Sequence, residues 1–173
     1  MNELLFSPTS PKDQVFQQVL EYLESEGFSI VSQDRDRPWG GFFVIDEQQI
    51  KKFHDVFFPD VPFTEEQYAQ KLSPKFLLVA PDARLSWQYH FRRAEIWKLL
   101  FGEAGIVRSM TDEIGEERSM AKGKTVKLSQ GERHRLVGKN NWGVVAEIWM
   151  HTDPLNPSDE SDIVRLQDDY SRK

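Results

Sequence analysis

The residues best able to do chemistry lie in the run Leu85-Ser86-Trp87-Gln88-Tyr89-His90-Phe91-Arg92-Arg93-Ala94-Glu95-Ile96-Trp97, joined by His134 in a later segment. On an extended strand successive side chains point to opposite faces. Ser86, Gln88 and His90 therefore share one face, and Leu85, Trp87 and Tyr89 the other. Gln88 and His90 stand about 7 Å apart along such a strand, close enough to converge on one ion. The chain then turns, Glu95 opens the next strand, and Arg93 shares its face where the geometry is regular. Gln88, His90, Glu95 and His134 together offer one amide oxygen, two imidazoles and one carboxylate. That donor set suits a divalent zinc, iron, manganese, nickel or cobalt ion, and spacing alone does not choose among them. Only Glu95 compensates the charge of such an ion. Four protein ligands leave a six-coordinate metal open positions for substrate oxygens, where it can polarise a carbonyl or hold an enediolate.

The elements that must position these residues are short and closely spaced. The first segment reads as an amphipathic helix, with Ser10 as its cap, Pro11 at its first position and Asp13 in its first turn. Phe16, Val19, Leu20 and Leu23 form its apolar stripe and Gly27 stops it. Arg37-Pro38-Trp39-Gly40-Gly41 is a turn signal, followed by a short apolar strand over 41–46. Residues 57–74 are aromatic, proline-containing and irregular, with a short helix over 64–71, and suit an inserted lid or a dimer contact. Strands are expected over 75–80, 84–90, 94–101, 105–109, 125–128, 133–137 and 144–150. Pro81-Asp82, Gly102, Gly123, Gly131 and Asn140-Asn141 separate them. No long helix alternates with these strands, so the pattern points to a mainly β sandwich or jelly-roll barrel rather than a parallel α/β sheet.

Composition narrows the function. The 173 residues carry 28 Asp and Glu against 22 Lys and Arg, a net charge of −6, and no cysteine. An acidic balance argues against general nucleic-acid binding, which neutralises phosphates with basic side chains. The lack of cysteine excludes disulfides, thiolate zinc sites and a cysteine nucleophile. No apolar run approaches the roughly 20 residues needed to span a bilayer, and no signal segment precedes the helix, so a cytoplasmic location without a membrane partner is expected. Length fits one domain, with residues 1–36 as an N-terminal helical extension and 37–173 as the barrel.

Those same residues carry a family resemblance. His90-X4-Glu95-X6-Gly102 is similar to the first cupin motif, with Gln88 in place of its first histidine. Ser129-X-Gly131-X2-His134 is similar to the second, with Ser129 where proline is usual. More narrowly, the chain resembles the C-terminal cupin domain of type II mannose-6-phosphate isomerases. Arg37-Pro38-Trp39-Gly40 matches the domain's opening, 85–90 its metal strand, 93–97 its glutamate strand and 162–172 its C-terminal signature. The resemblance implies a single cupin jelly roll and a homodimer. It also implies metal-dependent aldose–ketose isomerisation of a small phosphorylated sugar such as mannose 6-phosphate, with zinc as the expected metal. It places Lys75, Arg93 and Arg165 as the cations that hold the phosphate and the developing oxyanion, and Ser86 and Glu147 as substrate contacts. The identity of the base stays open. The glycine-rich nucleotidyltransferase motif of the fused enzymes has no counterpart in these residues, so guanylyltransferase activity is not expected of them.

Four positions depart from the isomerase pattern. Asp82 and Ser171 stand where glycine is usual, Gly138 replaces an asparagine, and Trp149 replaces a glutamine whose exchange alters the pocket if the side chain points inward. Two other readings compete: a non-catalytic sugar- or metabolite-binding cupin that retains the metal, and an iron-dependent oxygenase. Arg92 and Arg135 are expected on the outer face, His54 and His151 at the surface, and Trp87, Tyr89, Trp97 and Trp149 in the core or a dimer contact.

Overall fold

Alternation between two faces decides most of the architecture. Three strands, β3 (Lys75–Val79), β5 (Arg93–Ser109) and β8 (Arg133–His151), are buried along most of their length and so must satisfy neighbours on both sides. Phe76, Leu78, Val144, Ala146, Ile148 and Ile96 point outward to a core shared with the helices. Leu77, Val79, Val145, Trp97 and Leu99 point the other way, into the barrel. The structure, a computed structural model, describes residues 4–172.

The remaining strands are β1 (Ile30–Asp34), β2 (Gly40–Ile45), β4 (Trp87–Tyr89), β6 (Glu117–Ser119), β7 (Thr125–Leu128) and β9 (Val164–Gln167). All pairings are antiparallel, in the order β1-β2-β3-β8-β4-β9, with β5 pairing β6, β7 and β8. β5 and β8 pair with each other from Arg93↔His151 to Ser109↔Arg133, bending at two register shifts. This long bent pair closes the sheet into the expected jelly roll. Residues 94–101 and 105–109, expected as two strands, are thus one. Gly102 lies inside it at φ +72°, and a Cβ there would sit 1.7 Å from the Trp142 carbonyl oxygen, so the apparent turn glycine is a bulge glycine. Asn140 and Asn141 likewise lie within β8 rather than in a turn.

Helices cover the outer face. α1 (Lys12–Ser25) buries Val15, Phe16, Val19 and Leu23, with Phe16 against Phe43 at 5.3 Å and Tyr22 edge-on to Phe101 at 5.0 Å. Its cap differs from expectation. Pro11, extended at ψ 143°, is the N-cap, no side chain caps the helix, and Ser10 Oγ instead accepts from the Ser7 amide at 2.8 Å. α2 (Ile50–Phe57) packs Phe53 and Phe57 against Phe28 and Phe76. α3 (Glu65–Tyr68) is one turn held by a Thr64–Gln67 capping box. Phe58, Val61 and Leu72 of the irregular segment sit in the outer core, and none of its residues lines the pocket described below, so it forms no lid there. His54 is buried rather than superficial, because Tyr68 Oη at 2.8 Å and the Val61 carbonyl satisfy its two ring nitrogens. His151 bridges the Lys71 carbonyl and the Ser158 amide, a half-buried structural position. Arg135 is covered by the C-terminal segment, donating to the carbonyl oxygens of Leu85 and Gln167. No described helix is long and apolar enough to cross a membrane.

Three of the four departures have a conformational reading. Asp82 (φ +59°) and Ser171 (φ +56°) both adopt the left-handed conformation that favours glycine. Gly138 is the converse: a Cβ there would lie 1.9 Å from the Ala80 carbonyl oxygen, so no asparagine fits without moving that turn. Gly138→Asn is expected to lower stability by about 3 kcal/mol. Ser171→Gly should raise it by about 0.5 kcal/mol, the left-handed cost removed less the added chain entropy. Urea unfolding midpoints check both. An unchanged midpoint for Gly138→Asn would show that the Ala80–Ala83 turn yields freely.

Candidate metal centre and ligand pocket

Strand register assembles the centre. Gln88 of β4 stands opposite His134 of β8, Trp97 of β5 opposite Glu147 of β8, and Lys75 of β3 opposite that same Glu147. Directly paired residues share a face, so Lys75, Glu147 and Trp97 form one inward row, and Glu95 with Trp149 forms the next. His90, Glu95 and His134 converge, each almost completely buried, with ligand atoms within 4.8 Å of one another. His90 Nε2 lies 3.1 Å from Glu95 Oε1, and His134 Nε2 lies 3.5 Å from Glu95 Oε2.

The residues fit a cation. His90 Nδ1 meets the Asp162 carbonyl at 2.6 Å, and His134 Nδ1 meets the Glu132 carbonyl at 2.9 Å. A carbonyl can only accept, so the proton sits on each Nδ1 and each Nε2 presents a lone pair toward Glu95. Lone pairs facing a carboxylate repel unless a positive centre lies between them. Glu95 Oε2 and His134 Nε2 are buried with no hydrogen-bond partner among the described residues, which is the arrangement a metal completes. Ligand atoms bound at about 2.1 Å lie roughly 3–3.5 Å apart around one ion, matching these separations. Gln88 is placed beside this cluster, but its Oε1 accepts from Ser86 Oγ at 2.5 Å. Three of the four expected ligands therefore converge, and the fourth is engaged by a hydroxyl.

Seven of the expected site residues, Lys75, Ser86, Gln88, Arg93, Glu95, Glu147 and Arg165, line one pocket, with His90 and His134 buried behind Glu95. Trp149 points inward. Arg93 stacks on its ring at 3.9 Å and the Lys75 ammonium at 4.3 Å, so the bulky side chain supports both cations. Arg93 also donates to Glu95 Oε1 at 2.8 Å, Ser158 Oγ at 2.9 Å and the Asp159 carbonyl at 3.0 Å. Leu85 breaks the expected alternation and lines the pocket, because β4 begins only at Trp87. Sequence reasoning placed Arg165 of the C-terminal segment in the site but missed what Ser158, Glu160 and Asp162 do there. Asp162 accepts from the Phe91 and Arg92 amides at 2.9 and 3.0 Å and from Ser158 Oγ at 2.6 Å, and Glu160 accepts from Lys75 at 2.7 Å. Those acids sit in an irregular tail with no periodicity to expose them. Arg37 and Arg172 also line the pocket, and both lie inside the motifs that carried the resemblance.

The two buried carboxyls are driven apart. Burial alone would raise Glu95, but positive charge around it, from His90 whenever that ring is protonated and from Arg93, holds it well below the usual carboxylate range. Glu147 is pushed up to about 7, first by burial and then by the charge of Glu95, against the opposing pull of Lys75, Arg93 and the Trp97 indole N–H at 2.8 Å.

Two predictions follow from this geometry. His90→Ala and His134→Ala should lose bound metal measured by elemental analysis, whereas Gln88→Ala should weaken retention only about ten-fold. Full retention in both histidine variants would remove the cluster as a metal site. The second concerns pH in chelated protein. Glu147 binds its proton more tightly folded than unfolded, so its own contribution to stability is largest below about pH 4.5, falls as pH rises toward 7, and levels off above it. Glu147→Gln should flatten that segment of a urea-midpoint profile, and a slope that persists would assign it to another group.

A sequence model described as "Mannose-6-phosphate isomerase C-terminal" matches residues 46–168. The xanthan biosynthesis protein XanB of Xanthomonas campestris pv. campestris is 28% identical over 161 residues, which are 92% of this chain and 28% of XanB. The chain thus spans little more than a quarter of the length of this curated relative. Among solved structures, the capsular polysaccharide assembling protein CapF of Staphylococcus aureus superposes with a TM-score of 0.53 at 18% identity, covering 90% of this chain and 37% of CapF. A Cupin 2 conserved barrel domain protein of Salinispora arenicola aligns over 55% of this chain and 74% of its own, at 22% identity and a TM-score of 0.42. With the family's sequence pattern matched over most of its length and a closed β jelly roll built from it, this chain belongs to the mannose-6-phosphate isomerase C-terminal family and has a cupin fold.

Proposed function

We propose that the chain is a metal-dependent aldose–ketose isomerase of a sugar phosphate of the mannose 6-phosphate/fructose 6-phosphate kind. The observation that carries this reading is the convergence of His90, Glu95 and His134 beside a cation-lined pocket that also holds a second buried carboxyl, Glu147, which burial and the charge of Glu95 push up. Isomerisation moves one proton between neighbouring carbons, taking it from the carbon next to the carbonyl and returning it to the former carbonyl carbon. A group about half ionised near neutrality can do both. In this reading Glu147 accepts and returns the proton, with Trp97 fixing one of its oxygens. His90, Glu95 and His134, with Gln88 proposed as a fourth ligand, would hold a divalent ion, zinc in this proposal, that would supply Lewis acidity toward the sugar's oxygens. Arg93, fixed on Trp149, and Lys75 contribute positive charge where negative charge develops. Ser86 orients Gln88. The names of XanB and CapF both refer to polysaccharide formation, which supports a sugar-related role. A small phosphorylated sugar is the proposed partner, and a cytoplasmic homodimer is the proposed setting.

One observation favours the second reading, a sugar- or metabolite-binding cupin without turnover. The pocket holds about 120 Å³, against roughly 300–1,000 Å³ for common ligand sites. A hexose phosphate therefore requires the pocket to widen, and a smaller ligand would not.

Metal-loaded protein incubated with mannose 6-phosphate in D₂O and followed by NMR separates the two. Fructose 6-phosphate with deuterium at the exchanging carbon, abolished in His90→Ala and reduced at least 100-fold in Glu147→Gln, is the expected result. Saturable binding without exchange would establish the binding protein instead.

A further inference from the structure

We propose that Arg37, Arg165 and Arg172 form an anion subsite at the outer end of the pocket that grips the phosphate ester of the ligand, with the Trp39 indole N–H as a further donor. The inference rests on the isomerase reading only for naming the ligand a sugar phosphate; the anion site stands on its own residues. The chain as a whole is acidic, with a net charge of −6. Its pocket is not: Arg37, Lys75, Arg93, Arg165 and Arg172 all line it. Only Glu95, Glu147 and Glu160 oppose them there. Such local concentration of one sign in an oppositely charged protein focuses the field on a ligand of opposite charge.

The five cations divide by depth and by partner. Arg93 and Lys75 are buried, Arg93 donating to Glu95 and Ser158 and Lys75 to Glu160. Arg37 and Arg172 lie further out, with side chains 37% and 21% exposed. Each is held from outside the pocket by one carboxylate, Arg37 by Asp34 at 2.9 Å and Arg172 by Asp168 at 2.7 and 3.1 Å. Neither aspartate lines the pocket, so each fixes its guanidinium without filling the cavity. Arg165, on β9 opposite Gln88, completes the group. Burial, then the charges of Arg172 and Arg37, disfavour its protonated form, with Asp168 opposing, so the three guanidiniums are close enough to repel. An anion among them relieves that repulsion, and planar guanidinium forks suit phosphate oxygens. Trp39 adds an independent sign. It lines the same pocket, and its buried Nε1–H has no acceptor among the described residues. A ligand oxygen would satisfy it.

Calorimetric titration of the full chain, without added metal, tests the subsite. The probes are inorganic phosphate and mannose 6-phosphate. Arg37→Gln and Arg172→Gln should each weaken both probes about ten-fold or more. Arg118→Gln, which removes the same charge from an 80% exposed side chain outside the pocket, should leave both unchanged. Should a glutamine variant fail to fold, Arg37→Lys and Arg172→Lys keep the charge, lose the fork and should still weaken binding. Undiminished affinity in folded Arg37 and Arg172 variants, an equal loss in Arg118→Gln, or no phosphate binding by the parent chain overturns the subsite. Arginine-dependent phosphate binding without any sugar turnover upholds it while overturning the isomerase reading.

Discussion

The structure depends on the pairing of β5 with β8. Both strands are long and bent, and both are buried on two faces, so every second residue must suit the outer core and every other one the barrel interior. That parity sends Arg93, Glu95 and Trp97 inward together with His134, Glu147 and Trp149. A slip of one residue would invert all six and expose Ile96, Val144, Ala146 and Ile148 to a cavity meant for charge. The apolar demand of the outer core, supplied by the aromatic packing of α1 and α2, thus holds the polar register of the pocket. The chemistry sits on a scaffold specified by groups that never touch it.

Within that frame, electrostatics rather than shape distinguishes two carboxyls that occupy one cavity. Glu95 has both histidines and Arg93 around it and stays ionised; Glu147, buried beside that ionised neighbour, is pushed up to about 7. Environments that drive two acids apart are how one site can keep a permanent charge and a titrating group side by side. Trp149 belongs to the same design. It brings no charge, yet its ring carries Arg93 and Lys75 on the barrel floor, where an unsupported pair of cations would repel.

Legibility in the sequence followed periodicity. The strand over 125–128 and the first residue of β3 were readable because turn residues bracket short β-rich runs. His90, Glu95 and His134 were readable because they fall in two spaced motifs, whereas Gln88-X-His90 alone is a weak signal. Gly102 and Asn140-Asn141 misled, since glycine and asparagine signal turns locally but here serve a bulge and a strand that only the partner strand stabilises. α2 and the polar edge strand β1 escaped notice: the first is short and follows a 3-10 turn, and the second is mostly exposed without alternation. Glu160, Ser158 and Asp162 could not be placed in the site at all. Their positions come from the path of an irregular tail across more than sixty residues of intervening chain.

Asp162 joins that tail to the centre twice over. Its carboxylate caps the backbone amides of Phe91 and Arg92, and its carbonyl receives the His90 imidazole. Burial would raise this acid, but the Ser158 hydroxyl, those two amides and the charge of Arg93 outweigh it, so it stays ionised. Orientation of the His90 ring and docking of the tail are therefore one equilibrium seen from two sides. By thermodynamic reciprocity, whatever free energy a ligand of His90 draws from the docked tail, it returns as resistance of the tail to peeling away. A ligand held by His90 and the segment docked through Asp162 thus stabilise each other.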